Sequence, residues 1–485
     1  MVSVAALPGA ATIVPLSIAG LLLIGALVLV MRARDDAFPL LAVLALPFRV
    51  PVSADGRTVN LLIPLYLVVA AGTIAHLLPR LIAVIAGARA GDGARGARAP
   101  AEGPRMPDMP GKPDTLAEPG APGMPGRLSF WSSPRGLELL LLAAVGLYAL
   151  QVSYSADQVK GAENLAFFYV PFGLMFAILR DVDWTRDLLL RCLAVLVALA
   201  VLFAGVGFAE YSRKSLFLNP KIVAANQYDN YFRVNSLFFD PSIYGRFLAL
   251  IMLALSTVVL WSTRRRDILL GGALLAWLLG GLITSFSQSS IAALLLGLIV
   301  LAAWRWSVRV TLGISGALLA LALAVVLLAP SSWHFGLKGS SGSTSNASNG
   351  RTKLISGGLE LFAKRPLEGY GSGAFETAYK RHRDTTAENA TSASHTIPVT
   401  VAAEQGILGL ALYFALICSA LLVLFRGAGR SPPRIAVAAC FAALVLHTWT
   451  YADFLEDPST WLLLAIGLAL ARQGARIGSE PCSAT

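Results

Sequence analysis

The sequence predicts an all-α, polytopic membrane helical bundle with about 12–13 transmembrane helices and one large external loop. Apolar residues make up 56% of the 485 residues, whereas charged residues make up only 14%. The mean hydropathy is +0.67. Soluble domains carry about a quarter charged residues, and many apolar runs here reach the ~20 residues that cross a hydrocarbon core. We therefore expect the lipid bilayer to be the main surroundings of the chain.

Twelve apolar runs predict membrane spans. They are Thr12–Met31, Asn60–Leu78, Gly136–Ser153, Leu165–Leu179, Leu188–Phe208, Ser242–Trp261, Ile268–Ser285, Ser289–Trp304, Val308–Leu328, Thr396–Phe425, Ile435–Thr450 and Ser459–Ala471. A thirteenth run, Ala37–Phe48, is short and contains Pro39 and Pro47. Its length leaves two alternatives open, a weak span or a re-entrant segment.

Basic residues predict the orientation of the bundle. They are concentrated between alternate spans, where Lys and Arg are typical of cytoplasmic loops. The clusters are Arg180/Arg186, Arg264–Arg266, Arg305/Arg309, Arg426/Arg430/Arg434 and Arg472/Arg476. The C-terminus is then cytoplasmic, and the side of the N-terminus depends on whether Ala37–Phe48 crosses.

Changes in composition divide the chain into regions. Residues 88–135 are rich in Gly, Pro, Ala and Arg, which predicts a disordered cytoplasmic linker. Residues 331–395 predict a large, partly folded external loop, with a helical pattern over Leu354–Lys364. The other regions are N-terminal helices 1–87, central helices 136–330 with an external loop at 210–239, C-terminal helices 396–472 and a cytoplasmic tail 473–485.

Charge and cysteine usage exclude several classes of protein. The net charge of +11 agrees with the cytoplasmic excess of arginine, and no basic stripe with interleaved aromatic residues suggests nucleic-acid binding. The four cysteines, Cys192, Cys418, Cys440 and Cys482, are scattered and form no CxxC pair. This pattern supports neither a zinc site nor a disulfide framework. We expect no metal and no cofactor.

His395 lies where a polar stretch meets the apolar run that begins at Thr396. Imidazole titrates near neutral pH and can take a proton from a hydroxyl group. The first interpretation is an interfacial histidine that only binds a backbone carbonyl. The second is a general base at the water-facing end of the bundle.

Two arginines near the same end are candidates for binding an anionic substrate. The guanidinium of Arg233 suits phosphate recognition, although it could equally anchor the chain or pair with Asp229 or Asp240. Arg246 lies inside the next apolar run, where a charge needs a partner or a polar cavity. Asp240 and an anionic ligand are equally plausible partners for it. Asp240–Ser242 itself has the pattern of a helix start.

Polar residues in two further stretches complete the candidate site. Thr284–Ser290 places hydroxyl and amide groups, including Gln288, between two apolar runs, as either a capped turn or a set of donors to a substrate. The external loop carries eight basic side chains, which external loops usually avoid. They form either a solvated surface or a site for an anionic substrate, with Arg351, Arg381 and Arg383 as the candidates.

Three stretches resemble the O-antigen ligase and O-antigen polymerase family of membrane glycan enzymes. The first is Arg233–Ser242, with an arginine, a phenylalanine and a helix-starting proline. The second runs from Gly350 to Phe375 and contains the Gly-rich turn Pro366–Gly373. The third is His395 followed by Glu404-Gln-Gly-Ile-Leu-Gly409, which is the most specific.

The resemblance implies a glycosyltransferase in the cytoplasmic (inner) membrane, with its active face on the external or periplasmic side. Its donor would be a glycan linked to a polyprenyl diphosphate. Its acceptor would be a second lipid-linked glycan, for a polymerase, or a lipid anchor, for a ligase. Within the family, the histidine corresponding to His395 is essential and arginines bind the diphosphate. His395 is thus implied as the base and Arg233 as a diphosphate ligand.

One departure from the family pattern affects the choice of reaction. Gln288 stands where the family often has an arginine, and a neutral amide cannot replace that charge. Arg246, Arg381 or Arg383 could compensate. We therefore prefer a polymerase slightly over a ligase. A transporter or flippase of lipid-linked or anionic substrates, and a non-catalytic scaffold of a glycan assembly complex, are the alternatives.

Overall fold

The computed structural model describes residues 5–6, 10–54, 57–95, 131–217, 232–311, 313, 316, 344–383, 394 and 396–477. Its helices are α1 Ala10–Ala33, α2 Ala37–Ala45, α3 Ile63–Gly72, α4 Leu78–Arg95, α5 Pro134–Val152, α6 Gln158–Asn164, α7 Val170–Leu179, α8 Arg186–Arg213, α9 Pro241–Trp261, α10 Arg265–Thr284, α11 Gln288–Arg305, α12 Thr344–Lys364, α13 Phe375–Arg383, α14 Ile397–Phe425, α15 Pro432–Thr450 and α16 Pro458–Ile477. One π-helical turn, Thr73–Leu77, joins α3 to α4, and another, Leu165–Tyr169, joins α6 to α7.

The predicted polytopic helical bundle is confirmed. Within the described residues, nine helical segments are long and apolar enough to cross a membrane. The predicted spans Thr12–Met31 and Ser459–Ala471 fall inside α1 and α16. Most of the predicted span Val308–Leu328 lies outside the described residues.

The bundle has two ends, an arginine side and a loop side. The arginine side carries the connections at 180–185, 262–264 and 426–431, and the loop side carries those at 153–157, 285–287 and 451–457. Successive membrane-spanning helices run in opposite directions between these two ends. The arginine side corresponds to the side that the sequence predicts to be cytoplasmic.

The short run Ala37–Phe48 starts at the arginine side and runs along α8 toward the loop side, where α3 begins. Asp36, just before α2, accepts a hydrogen bond from Arg191 near the arginine-side end of α8 (3.0 Å). Phe48, just after α2, packs edge-on against Phe203, further along α8, with ring centroids 5.9 Å apart. Arg191 and Phe203 are about 18 Å apart along the helix axis. Of the two alternatives, the structure therefore supports the weak span.

A small sheet adds β structure to the otherwise helical bundle. Strand β1 (Ala5–Ala6) pairs in parallel with β2 (Val50–Ala54), which pairs antiparallel with β3 (Arg57–Leu61). Because α3 begins on the loop side directly after β3, this pairing places Ala5 on the loop side as well. The chain then enters α1 from that side.

The long α9 lies at the centre of one half of the bundle and packs against α8, α10, α11 and α15. A side chain at Gly297 of α11 would place its Cβ 2.3 Å from Leu253 Cδ1 of α9. Small residues permit such close helix approach in membrane proteins, where packing rather than water drives association. Because other helices surround α9, its single arginine, Arg246, needs a partner inside the protein.

Two predicted regions differ from expectation at their edges. Residues 88–95 of the predicted linker continue α4, and residues 96–130 lie outside the described residues. In the external loop, α12 covers the helical pattern predicted over Leu354–Lys364 and begins earlier, at Thr344.

Candidate functional site

The loop-side end of α9 positions Arg246. Asp240 caps the helix, with its Oδ1 accepting a hydrogen bond from the backbone of Ser242 (2.6 Å), and Pro241 occupies the first turn. These contacts confirm the predicted helix start. The side chain of Arg246 is only 3% exposed, and its Nη2 lies 2.5 Å from Oδ2 of Asp457. The partner is thus Asp457 rather than Asp240.

Backbone carbonyl groups accept hydrogen bonds from the second terminal nitrogen of Arg246, Nη1. Its Nη1 donates to the carbonyl oxygens of Ala452 and Asp453, each at 3.4 Å. Asp453 has a left-handed backbone (φ 74°), which is uncommon for a residue other than glycine. The 451–457 turn therefore wraps around the arginine, and its charge is compensated within the protein.

The serine-rich turn between α10 and α11 lies beside this pair. Ser287 caps α11 by accepting from the backbone of Ser290 (3.4 Å), which confirms the interpretation of a capped turn. The hydroxyl of Ser290 also lies 3.1 Å from Nε2 of the buried His447 on α15. A Cβ at Gly245 would come within 2.6 Å of that hydroxyl. Because position 245 has no side chain, α9 and α11 approach closely here.

Arg233 reaches the same turn from the segment that precedes α9. Its Nε donates to the carbonyl of Ser285 (3.3 Å), and the neighbouring Val234 donates its backbone N–H to Thr284 (3.2 Å). Glu210, at the end of α8, accepts from the backbone of Ser236 (2.8 Å). The stretch after Arg233 is thereby fixed to both α8 and α10.

Three predicted site residues therefore share the loop-side ends of α9–α11. Arg233 contacts Ser285, three positions before Gln288, and Gly245 beside Arg246 contacts Ser290, two positions after it. Gln288 is the first residue of α11 and is exposed. This end of the bundle presents an arginine, an amide and several hydroxyl groups within a few residues of each other.

The Gly-rich turn Pro366–Gly373 docks onto a break in α14. Gly406 has a left-handed backbone (φ 66°), and a Cβ there would lie 2.2 Å from the carbonyl oxygen of Leu367. The backbone of Ile407 donates to Pro366 (2.7 Å) and that of Gly371 donates to Glu404 (2.8 Å). The second and third family-like stretches therefore form one interface.

Glu404 closes this interface from inside α14. Its two carboxylate oxygens accept hydrogen bonds from the backbone N–H groups of Gly373 (3.0 Å) and Phe375 (2.9 Å). Carboxylates are favourable at a helix N-terminus, and Phe375 begins α13. The described part of the external loop, α12 through α13, is called the loop module below.

The predicted arginines of the loop module lie on its helices. Arg383 forms an ion pair with Glu360 (2.9 Å), which ties α13 to α12. The hydrogen bond from His382 and the charge of Arg383 hold the pKa of Glu360 below its ordinary value. Arg381 is exposed on α13, and Arg351 lies in α12. The structure thus brings Arg381 and Arg383 together, on a module that packs against α14.

His395 itself lies outside the described residues. The residues on either side of it are held by a local turn at the start of α14. The backbone of Ser394 donates to the hydroxyl of Thr400 (3.0 Å), and the hydroxyl of Ser394 donates to the carbonyl of Thr396 (2.7 Å). These contacts fix the entry of the chain into the helix.

Buried acids in the 451–457 turn are further functional candidates. Burial, reinforced by the nearby charge of Asp453, raises the pKa of Glu456 to about 7. Burial also raises the pKa of Asp453, against the opposing charges of Arg246 and Arg49. Asn164 donates to Glu456 (3.0 Å). The signal that could have found Asp457 is Arg246, because a charge within a span needs a nearby acid.

Comparison with known protein families gives a match to part of the chain. The family model described as O-antigen ligase matches residues 273–414. This range runs from α10 through the serine-rich turn and the loop module into α14, and it includes Gln288 and position 395. No curated protein matches the chain significantly. The resemblance drawn from the sequence is therefore confirmed over residues 273–414, which match the O-antigen ligase family domain. The first resembling stretch, Arg233–Ser242, lies outside the match.

Proposed function

We propose that the protein transfers glycan from a polyprenyl diphosphate donor to a glycan hydroxyl group at the loop side. The observation that carries the proposal is the family match over residues 273–414. That range joins the serine-rich turn, the loop module and the entry to α14. Membrane glycan processing is the activity that this family supports, and the donor and the reaction type are the proposed steps beyond it.

In the proposed reaction, His395 takes the proton of the acceptor hydroxyl. The acceptor oxygen then attacks the anomeric carbon of the donor glycan, and the bond from that carbon to the diphosphate oxygen breaks. Polyprenyl diphosphate leaves with the electron pair. Diphosphate is already a good leaving group, so one base and cationic stabilisation are sufficient.

Arg233 is the diphosphate ligand that the geometry favours. It is half-buried at the loop-side surface, and its Nε donates to the backbone carbonyl of Ser285. A guanidinium group at this surface has the planar donor geometry that binds phosphate oxygens in pairs. Arg246 already forms an ion pair with Asp457, so binding of the donor by Arg246 would require an exchange of partners.

Polymerisation is proposed in preference to ligation because of Gln288, an exposed amide at the start of α11. Arg351, Arg381 and Arg383 on the loop module are proposed to supply cationic charge to the glycan or diphosphate in its place. The proposed location is the cytoplasmic membrane with the loop side outward. The concentration of arginine at the opposite side supports this orientation.

The test uses purified protein in lipid with a polyprenyl diphosphate oligosaccharide as the only substrate, and it resolves the products by size. We expect a ladder of longer glycans from the wild type and none from His395→Ala. His76→Ala, in the π-helical turn after α3, is the matched control and should retain the ladder. Transfer that appears only after a lipid-anchor acceptor is added would indicate a ligase. No product with either acceptor would contradict the enzyme proposal and favour a transporter or a scaffold.

A further inference from the structure

An apolar cavity of about 870 Å³ opens between α2, α8, α9, α15 and α16. Its walls come from single faces of these helices, such as Leu189, Leu193 and Leu196 on α8. On α9 the lining extends from Phe247 to Trp261, which is about 21 Å at the helical rise of 1.5 Å per residue. The cavity therefore covers about two thirds of a ~30 Å hydrocarbon core, starting from the arginine side.

Two arginines stand at the arginine-side mouth of this cavity. Arg186, the first residue of α8, and Arg264, just before α10, both line it and are exposed. Among the residues that the structure describes, neither guanidinium group forms a hydrogen bond or an ion pair. The acid at the mouth, Asp267, accepts a hydrogen bond from the hydroxyl of Ser262 (3.2 Å). The mouth therefore has a net positive charge.

Some other arginines on the same side are neutralised by acids. Arg180 and Arg472 both pair with Glu138, at 2.5 and 2.6 Å. Arg191, five residues along α8 from Arg186, pairs with Asp36 at 3.0 Å. Arg186 and Arg264 thus differ from Arg180, Arg191 and Arg472, because among the described residues they form no ion pair with an acid.

We propose that this cavity binds an anionic phospholipid from the leaflet on the arginine side. The acyl chains would occupy the apolar walls, and the phosphate would bind Arg186 and Arg264. Basic pockets between transmembrane helices are suited to such headgroups, and the volume lies within the range of ligand pockets. A lipid-linked donor is not favoured here, because its diphosphate is proposed to bind at the opposite side, beside Arg233.

The test measures lipid retention by the full-length protein in detergent, using native mass spectrometry with phosphatidylglycerol and with phosphatidylcholine. We expect selective retention of phosphatidylglycerol by the wild type. Each of Arg186→Gln and Arg264→Gln should weaken it about fivefold, and the double variant about 30-fold, at roughly 1 kcal/mol per contact. Arg309→Gln, an exposed arginine of the same side that does not line the cavity, should leave retention unchanged.

A second variant tests the cavity separately from the charges. Ala254→Trp fills the apolar wall while both arginines remain, so it should also reduce phosphatidylglycerol retention at least fivefold. Thermal unfolding without added lipid checks that each variant is folded. Undiminished retention in the double variant would overturn the proposal, as would equal retention of phosphatidylcholine. Competitive displacement of phosphatidylglycerol by polyprenyl phosphate would also overturn it and assign the cavity to the donor.

Discussion

The guanidinium group of Arg246 lies 2.5 Å from the carboxylate of Asp457, and the two side chains are only 3% and 6% exposed. This ion pair joins the second turn of α9 to the residue that precedes α16. An unpaired charge at such a buried position would be costly. The pair therefore explains how an arginine is tolerated inside a membrane-spanning helix.

Removal of one member of this pair is expected to destabilise the fold. Arg246→Met or Asp457→Asn alone should lower the free energy of unfolding by about 3–5 kcal/mol, because each leaves a buried group without its partner. The double variant should lose less than the sum of the two. Denaturant unfolding of the purified protein in detergent measures this double-mutant cycle.

The exposed pair of Arg191 and Asp187 provides the matched control. These side chains are 57% and 69% exposed, so Asp187→Asn, which leaves the ion pair of Arg191 with Asp36 in place, should change stability by only about 0–1 kcal/mol. Strictly additive losses at Arg246 and Asp457 would contradict a coupled buried pair. A raised KM for the donor in a stable Arg246 variant would instead assign that arginine to substrate binding.

Gly406 should be the position of α14 least tolerant of a side chain. Its backbone is left-handed, and a Cβ would lie 2.2 Å from the carbonyl oxygen of Leu367. Backbone strain alone costs about 1–3 kcal/mol, and the clash adds to it. We therefore expect Gly406→Ala to lower the free energy of unfolding by more than this strain and to abolish glycan transfer. Limited proteolysis should then cleave the loop module faster.

The corresponding control is Gly272→Ala in α10, where a Cβ meets no atom within 4 Å. Replacement of glycine by alanine in an open helical position stabilises by about 0.4–1 kcal/mol. Transfer should be retained in this variant. Equal proteolysis of the Gly406→Ala and Gly272→Ala proteins would show that docking of the Gly-rich turn does not depend on Gly406.

The sequence predicted the spans well because most of them are long apolar runs, and length together with apolar composition identifies a helix that can cross a bilayer. The sequence could not decide whether Ala37–Phe48 crosses the membrane, because a nine-residue helix is too short to be recognised by length. Its course depends on the contacts of Asp36 with Arg191 and of Phe48 with Phe203. Those residues are far apart in the sequence.

The candidate site was only partly predictable for a similar reason. Arg246 could be recognised as unusual from its place in an apolar run, yet the choice of Asp457 over Asp240 depends on how α16 packs. The contact of the Gly-rich turn with Gly406 likewise joins two stretches that the sequence presents separately. Their spacing along the chain carries no information about that interface.

Gln288→Arg tests whether the departure from the family pattern limits donor binding. Gln288 is exposed beside the turn that Arg233 contacts, so a guanidinium there can reach the same anionic group. A charged hydrogen bond contributes about 1.5–3 kcal/mol, and we expect the KM for the donor to fall about tenfold. A positive charge is unfavourable at a helix N-terminus, so the substitution should also lower stability, by only about 0.3–1 kcal/mol.

Gln288→Leu provides the comparison, because it removes the amide without adding charge. The KM for the donor should stay the same or rise in this variant. If Gln288→Arg raises the KM as much as Gln288→Leu does, the position does not face the diphosphate. In that case the arginines of the loop module become the better candidates for donor binding.

Glu456 should make the stability of the protein depend on pH. Burial raises its pKa from an ordinary 4.5 to about 7. Below pH 4.5 the carboxyl group is protonated in both the folded and the unfolded chain and has no effect. Between pH 4.5 and 7 the unfolded chain loses the proton first, so stability falls, by at most about 1.4 kcal/mol per pH unit. Above pH 7 the loss is constant.

Glu456→Gln removes this titration but retains an oxygen that can accept the hydrogen bond from Asn164. The variant should therefore gain stability relative to the wild type as the pH rises from 5 to 8, as measured by thermal unfolding in detergent. Glu163→Gln, the same substitution one residue before Asn164, should follow the wild-type curve. Parallel curves for wild type and Glu456→Gln would mean that Glu456 is ionised in the fold, compensated by Lys160 and Arg49, the cations that oppose its shift.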